Sequence, residues 1–509
     1  MLEQVETLFV GGSVYAPGAS GPERLGVAVA GGRIVAIGPD ADLRDLATTR
    51  TDVVDLAGGL LLPGFQDAHV HPVMGGLAML QCELHGTASA QECLEIVAEY
   101  AHEHPDLDWI VGGGWSMQFF PGGTPTRQAL DAVVPDRPVF LTNRDGHGTW
   151  VNTRALELAG VDASTADPKD GRIEREPDGS PSGTLHEGAG RLVGRLLPEP
   201  SGRDLLAGLH KAQELLFSLG ITAWQDAAVG AIFGLADILP TYLQAAREGT
   251  LKARVVGALW WDRDRGGDQI AELVERRAEG RAGRFAATSV KIMQDGVAEN
   301  FTAGMLEPYL DGDGCRTPNA GLSFVDPHAL REHVTQLDAL GFQVHFHALG
   351  DRAVREALDA IHAARAVNGP SDNRHHLAHL QLVHPEDIPR FAALGAVANI
   401  QPLWAAHEPQ MDELTIPFLG AARAAWQYPF GDLLREGARV AAGSDWSVSS
   451  PDPLAGIHVA VNRTSPGETA EPFYPRNAIS LADGLTAYTA GSAYANHLDA
   501  STGRLEVGA

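Results

Sequence analysis

Apolar residues in this chain fall into short β-rich runs, and from residue 65 onward these runs alternate with amphipathic ones. Residues 5 to 62 read as all-β, with runs at 8–15, 26–30, 33–37 and 53–56 parted by Gly and Pro turns. Within them, Ala30-Gly31-Gly32-Arg33 is a hairpin signal. Eight later runs, at 65–71, 221–228, 254–260, 289–295, 343–349, 376–381, 396–401 and 439–445, read as parallel strands. Amphipathic stretches such as 330–340 and 353–364 separate several of them, as a βα repeat requires. The pattern predicts an α/β fold, a (β/α)8 TIM barrel with its active site at the C-terminal strand ends. The gap from about 73 to 215 is too long for one βα unit. It carries strand-like pieces at 109–113 and 139–143 and a polar loop at 167–183. It reads as a large insertion after the first barrel strand, a subdomain covering the barrel mouth.

The residues at the expected strand ends carry chemistry. His69 and His71 stand two apart on a strand, so both imidazoles face one spot, and imidazole suits Zn, Fe, Ni or Mn. Lys291, His347, His379 and Asp445 sit at four other strand ends. Lys169, Lys211, Lys252 and Lys291 are the four lysines of an otherwise Arg-based chain, so an amine at 291 is a specific choice. A divalent cation at such a site lowers the pKa of bound water to about 7 and polarises a carbonyl. Asp445 can take the proton of that water and deliver it to a leaving nitrogen. A protonated lysine repels a cation, but a carboxylated Lys291 is an anionic ligand able to bridge two ions. His345 shares a face with His347 and is the rival ligand, His375 and His376 read as scaffold, and Asp295 and Asp351 beside glycines read as turn formers. Trp115, Trp150 and Trp404 suit core and pocket equally.

The 509 residues, 44% hydrophobic and 20% charged, suit a large globular enzyme. A net charge of −27 disfavours nucleic acid and anionic membrane as partners. No apolar run reaches the roughly 20 residues of a membrane span, and no signal-peptide pattern opens the chain. Cys82, Cys93 and Cys315 form no CxxC, as expected in a reducing, cytoplasmic setting.

The stretches PGFQDAHVHP (63–72), GGGW (112–115), RDGHGTWVNTRAL (144–156), KIMQDG (291–296), HFHALGDRAV (345–354), HHLAHLQLV (375–383), NIQP (399–402) and GSDW (443–446) resemble the metal-dependent amidohydrolase superfamily. They are similar to its YtcJ-like and N-substituted formamide deformylase-like branch. The resemblance implies that His69, His71, Lys291, His347 and His379 are metal ligands, with Lys291 the lysine that can be carboxylated. It makes Asp445 both a ligand and the acid/base, and sends His147 from the insertion toward the substrate carbonyl. It names residues 1–62 as part of a small flanking β-sandwich and 63–495 as the hydrolase barrel, with 496–509 returning to the small domain. Relatives continue past LEVG where this chain stops at Ala509, so a truncated or reduced small domain is expected. Trp404 stands near where relatives often carry a histidine.

The expected activity is hydrolysis of a C–N bond in a small amide, formamide or cyclic amide, with one or two divalent ions, zinc first among them. The alternatives are a deaminase of the same superfamily, which needs one metal and no lysine ligand, and a non-catalytic barrel scaffold. Homo-oligomer formation stays open.

Overall fold

The computed structural model describes residues 4–15, 21–232 and 236–509. Its centre is a parallel sheet of eight strands, here β1 (Phe65–Val70), β2 (Ile221–Val229), β3 (Arg254–Trp260), β4 (Phe285–Met293), β5 (Gln343–Ala348), β6 (His376–His379), β7 (Val397–Ile400) and β8 (Arg439–Ala442). They are hydrogen-bonded in chain order from β1 to β8, each to the next, in parallel. Every residue of β1, β5, β6 and β7 is buried, as expected of strands covered on both faces. The amphipathic stretches become helices Pro327–Ala339 and Asp351–Asn368, whose Leu330, Val334, Leu358 and Ile361 are fully buried against the sheet.

The sheet nearly closes between β8 and β1. Asp445 donates its backbone N–H to His69 O at 2.8 Å and His71 donates to Trp446 O at 2.8 Å. Buried Asp67 accepts from Ser444 Oγ (2.5 Å), Ser444 N (3.1 Å) and His69 N (2.9 Å). Gly443 is required at this seam, because a Cβ there would lie 2.6 Å from His69 N. The seam therefore sets His69, His71 and Asp445 side by side.

Ahead of the barrel, Arg33–Gly38, Gly26–Ala30, Thr7–Val10 and Asp52–Asp55 form a four-stranded sheet, and Ser13–Val14 pairs with Leu60–Leu61. The hairpin at Gly31 and Gly32 forms, both glycines having positive φ. Gly508 N and Ala509 O exchange backbone hydrogen bonds with Ile34 at 2.8 and 3.1 Å, so the last residues lie against this sheet.

Between β1 and β2 the chain builds a second, six-stranded sheet in the order Gly171–Arg175, Pro181–Glu187, Gly148–Val151, Val139–Asn143, Ile110–Trp115 and Cys82–Glu83. Trp115 and Trp150 are wholly buried in its core, each with its indole N–H on a backbone carbonyl. The stretch 167–183 is not the polar loop its composition suggested. It is an antiparallel hairpin whose Ile173 faces Leu185 while Arg172 and Glu174 pair on the outer side. One buried side chain was too little apolar signal for an edge strand. No helix among the described residues is long and apolar enough to cross a membrane.

Candidate active site

The predicted residues gather at the C-terminal end of the barrel. His69 is the fifth residue of β1, His71 follows the strand, and Asp445 lies just past β8. His69 Nε2 and His71 Nε2 stand 3.2 and 3.0 Å from Asp445 Oδ1, and His379 Nδ1 stands 3.8 Å from Asp445 Oδ2. His379 closes β6, and its ring centroid is 4.7 Å from that of His69 and 4.5 Å from that of His347 on β5. Ligand atoms of His69, His379 and Asp445 all lie within 4.8 Å of one another. Lys291, on β4, is 2% exposed and its Nζ has no hydrogen-bond partner.

Two observations match this set to a cation. Both ring nitrogens of His379, Nδ1 of His71, Nζ of Lys291 and Oδ1 of Asp445 are buried without hydrogen bonds, a costly state unless something binds there. His69, His347 and His379 are also held neutral, as ligands must be. Burial pushes His69, His347 and His379 well below the usual imidazole range, helped by neighbouring Lys291 or other histidines. Burial likewise pulls Lys291 down to about 7, opposed by Asp445. Burial drives the Asp445 carboxyl up, but His71, His379 and Lys291 outweigh it and keep it below the ordinary carboxylate value. Backbone strain marks the same spot. His379 (φ 81°) and Asp445 (φ 55°) hold left-handed conformations, which cost about 1–3 kcal/mol in residues other than glycine.

His147 comes from the loop between Val139–Asn143 and Gly148–Val151, and its ring lies 5.6 Å from that of His347. Its Nδ1–H donates to Glu187 at 3.0 Å, and its backbone carbonyl accepts from Asn300 Nδ2 at 3.0 Å. Burial disfavours its cation, yet Glu187, Asp145 and Asp445 outweigh that and raise it to about 9. His147 is therefore an imidazolium at neutral pH. Trp404 stacks on His379 at 5.4 Å between centroids with an 8° interplanar angle, and its N–H reaches Ser449 Oγ at 3.1 Å. It is a wall of the site and not core.

Several contributors escaped the sequence. Asp295 does tie turns, accepting N–H from Gly304, Leu349 and Gly350, but the same carboxylate also takes His347 Nδ1 at 3.2 Å. Reading it as a turn former was incomplete. The pairing leaves His347 Nε2 for a metal and fixes its ring. Glu187 was unflagged because its partner His147 is 40 residues away, in a loop between two other strands of the inserted sheet. His345 points into the barrel interior, where His69 Nδ1 and Gln225 meet it at 2.7 and 2.6 Å. Asp351 opens the helix Asp351–Asn368 and accepts the backbone N–H of Leu306, 45 residues away, at 2.8 Å, so it tethers a distant loop and not a local turn.

Residues 52–509 match the profile of the amidohydrolase family. Protein LONG AFTER FAR-RED 3 of Arabidopsis thaliana is 32% identical over 99% of this chain and 85% of its own length. Putative amidohydrolase YtcJ of Bacillus subtilis is 28% identical over 99% of this chain and 93% of its own. N-substituted formamide deformylase of Arthrobacter pascens is 26% identical over 95% and 88%. The crystal structure of an uncharacterized metal-dependent hydrolase from Pyrococcus furiosus superposes with a TM-score of 0.72 at 26% identity, covering 99% of this chain and 97% of that one. With an eight-stranded parallel barrel, histidines and an aspartate gathered at its C-terminal end and a family match across nearly its whole length, the chain belongs to the amidohydrolase family, in the branch that holds YtcJ and N-substituted formamide deformylase.

Proposed function

We propose that this protein is a metal-dependent hydrolase that cleaves the C–N bond of a small amide, formamide or cyclic amide. The observation that carries the reading is the convergence of buried His69, His379 and Asp445, whose ligand atoms lie within 4.8 Å of one another, with His71 Nε2 3.0 Å from Asp445 Oδ1 and both ring nitrogens of His379 unpaired. In this reading His69, His71, His347 and His379 hold the metal, zinc by preference, with Asp445 at its edge. A bound divalent ion would lower the pKa of water and polarise the carbonyl under attack. Asp445 accepts the water's proton on its carboxylate and returns it to the leaving nitrogen. His147, with Nδ1 held by Glu187, has Nε2 left to donate to the carbonyl oxygen as negative charge grows there. Lys291, its amine favoured over ammonium by burial, adds CO2 to become an N-carboxylate and releases one proton. That carboxylate would add anionic oxygen ligands to the histidine set if a second ion were bound.

Residues from about 73 to 215 act in this proposal as a cover that selects the substrate. Three contacts support it: His147 facing His347, Thr302 Oγ donating to Glu187 at 2.7 Å, and the ion pair of Arg263, just after β3, with Asp170. The remaining division is 1–62 with 496–509 as a small β domain and 63–495 as the hydrolase unit. The test is a screen of N-formyl and N-acyl amines with the zinc-loaded protein. Release of amine and carboxylate, abolished by a chelator and restored by zinc, supports the reading. Ammonia released from a ring amine would instead favour the deaminase, and a folded protein that holds no stoichiometric metal and turns over neither class would favour a scaffold.

A further inference from the structure

Beneath the site lies a second group of buried polar side chains that faces no substrate. His345 Nε2 is 2.7 Å from His69 Nδ1, and His345 Nδ1 is 2.6 Å from Gln225 Oε1. His376 Nε2 is 3.0 Å from the same Gln225 oxygen, and His376 Nδ1 is 3.0 Å from Asn399 Nδ2.

The proton on each ring can be assigned, because the amides are anchored to backbone at three places. Gln343 Nε2 donates to the carbonyls of Arg374 (2.8 Å) and Ala495 (2.7 Å), so its Oε1 faces inward and accepts Gln225 Nε2–H at 3.0 Å. Gln225 Oε1 is thereby turned toward the two histidines. Asn399 Nδ2 donates to Ala68 O at 2.9 Å, and its other hydrogen reaches His376 Nδ1. Asn399 Oδ1 accepts from Gln401 Nε2 at 3.2 Å, and Gln401 Oε1 accepts the backbone N–H of His379 at 2.7 Å. All three anchors agree on one assignment. His376 accepts at Nδ1 and donates from Nε2, and His345 donates from Nδ1. Among the described residues, the contacts of buried His345 are two imidazoles and the Gln225 amide, with no carboxylate to hold a second proton, which leaves its Nε2 a lone pair. His69 Nδ1 must then carry the hydrogen.

We propose that Gln225 is a positioning residue of the metal site, which by accepting Nδ1–H of His345 and Nε2–H of His376 locks His69 into the tautomer that presents Nε2 to the metal. The proposal rests on the metal reading above. A histidine ligand ordinarily gives its second N–H to a carboxylate or carbonyl. Here a neutral imidazole takes that place and is itself oriented by an amide that the backbone cannot let flip.

The full-length protein tests this in two ways. The first is the tautomer of His69 in metal-free wild type, read from long-range 1H–15N spectra of 15N-histidine-labelled protein. Nδ1–H is expected, and Nε2–H overturns the proposal without any variant having to fold. The second is zinc affinity by competition with a chelator. Gln225→Met, similar in volume but unable to accept, is expected to weaken zinc about 10–100-fold, the usual cost of losing a ligand's supporting partner. Gln225→Glu, protonated at this buried position, keeps the acceptor and a donor to Gln343, and stays within about 3-fold of wild type. Equal affinity in wild type and Gln225→Met, or Gln225→Glu as weak as Gln225→Met, overturns the assignment. If wild type binds no zinc the metal reading fails on its own, and the spectrum still decides the tautomer.

Discussion

Two clusters of histidine share this barrel, and they differ in how fully their hydrogen bonds are met. At the strand ends, His379 has neither nitrogen paired, His71 has Nδ1 unpaired, and Lys291 and Asp445 carry orphaned atoms. One step deeper, both ring nitrogens of His345 and His376 are engaged, as are the amide nitrogen and oxygen of Gln225, Gln343 and Asn399. His69, His347 and His379 are buried in one, as His345 and His376 are in the other. The difference teaches that a buried histidine is a ligand candidate when its lone pairs are unmet, and part of the scaffold when they are paired. Unpaired polar atoms cost about 1–3 kcal/mol each, so a fold keeps several in one place when something is to bind there.

Substitutions that touch the upper cluster should disturb chemistry and spare the fold. Asp445→Asn keeps the shape of the side chain and removes the base. With any amide the protein hydrolyses, kcat should fall by about 10²–10⁴-fold while zinc content holds. His147→Ala removes one donor to the carbonyl, so kcat/KM should fall about 10²-fold, again with unchanged metal; loss of metal there would move His147 into the ligand set. Lys291→Ala should lose one of two ions and regain part of its activity with short carboxylic acids that replace the N-carboxylate. Full rate and full metal in that variant would make the site mononuclear.

The lower cluster should behave in the opposite way. His376→Leu strands an Asn399 N–H and removes one of the two donors to the Gln225 oxygen, so the metal-free protein should lose about 1–3 kcal/mol in denaturant unfolding. His379→Leu strands no side-chain partner and should cost the metal-free protein less than His376→Leu does. Equal losses would erase the distinction drawn between the clusters.

The smallest effect concerns the inserted sheet, away from both clusters. His186 Nε2 at 2.9 Å holds Glu174 down to about 2, against burial and with help from Arg172. A depressed carboxylate stabilises the fold above its unfolded value of about 4.5 and loses that contribution as pH falls toward 2. Between pH 4.5 and 2, the Tm of wild type should therefore drop slightly more than that of Glu174→Gln, and parallel curves would remove the pair from the account.

Strand ends were legible in the sequence because a parallel barrel strand is a short apolar run, and the residue that breaks it is often functional. His69, His71, His347, His379 and Asp445 stood out in that way. The supporting residues did not. Asp295 looks like any Asp-Gly turn, and its hold on His347 joins β4 to β5 across 52 residues. Gln225 sits inside an ordinary strand 120 residues from His345, and nothing local distinguishes it from a satisfied core amide. The hairpin over 171–187 was missed because only Ile173 and Leu185 mark its apolar side. Patterns of two or 3.6 residues reveal elements, whereas partners across a barrel are set by its closure, which no local period encodes.

The most direct test of the central claim is a zinc titration of the chelator-treated, full-length protein, read as bound metal per chain and as Tm. The account predicts one or two ions per folded chain, a higher Tm on binding, and loss of both responses in the double variant His71→Ala/His379→Ala. A folded wild-type chain that takes up no stoichiometric zinc, manganese, iron or nickel would contradict it.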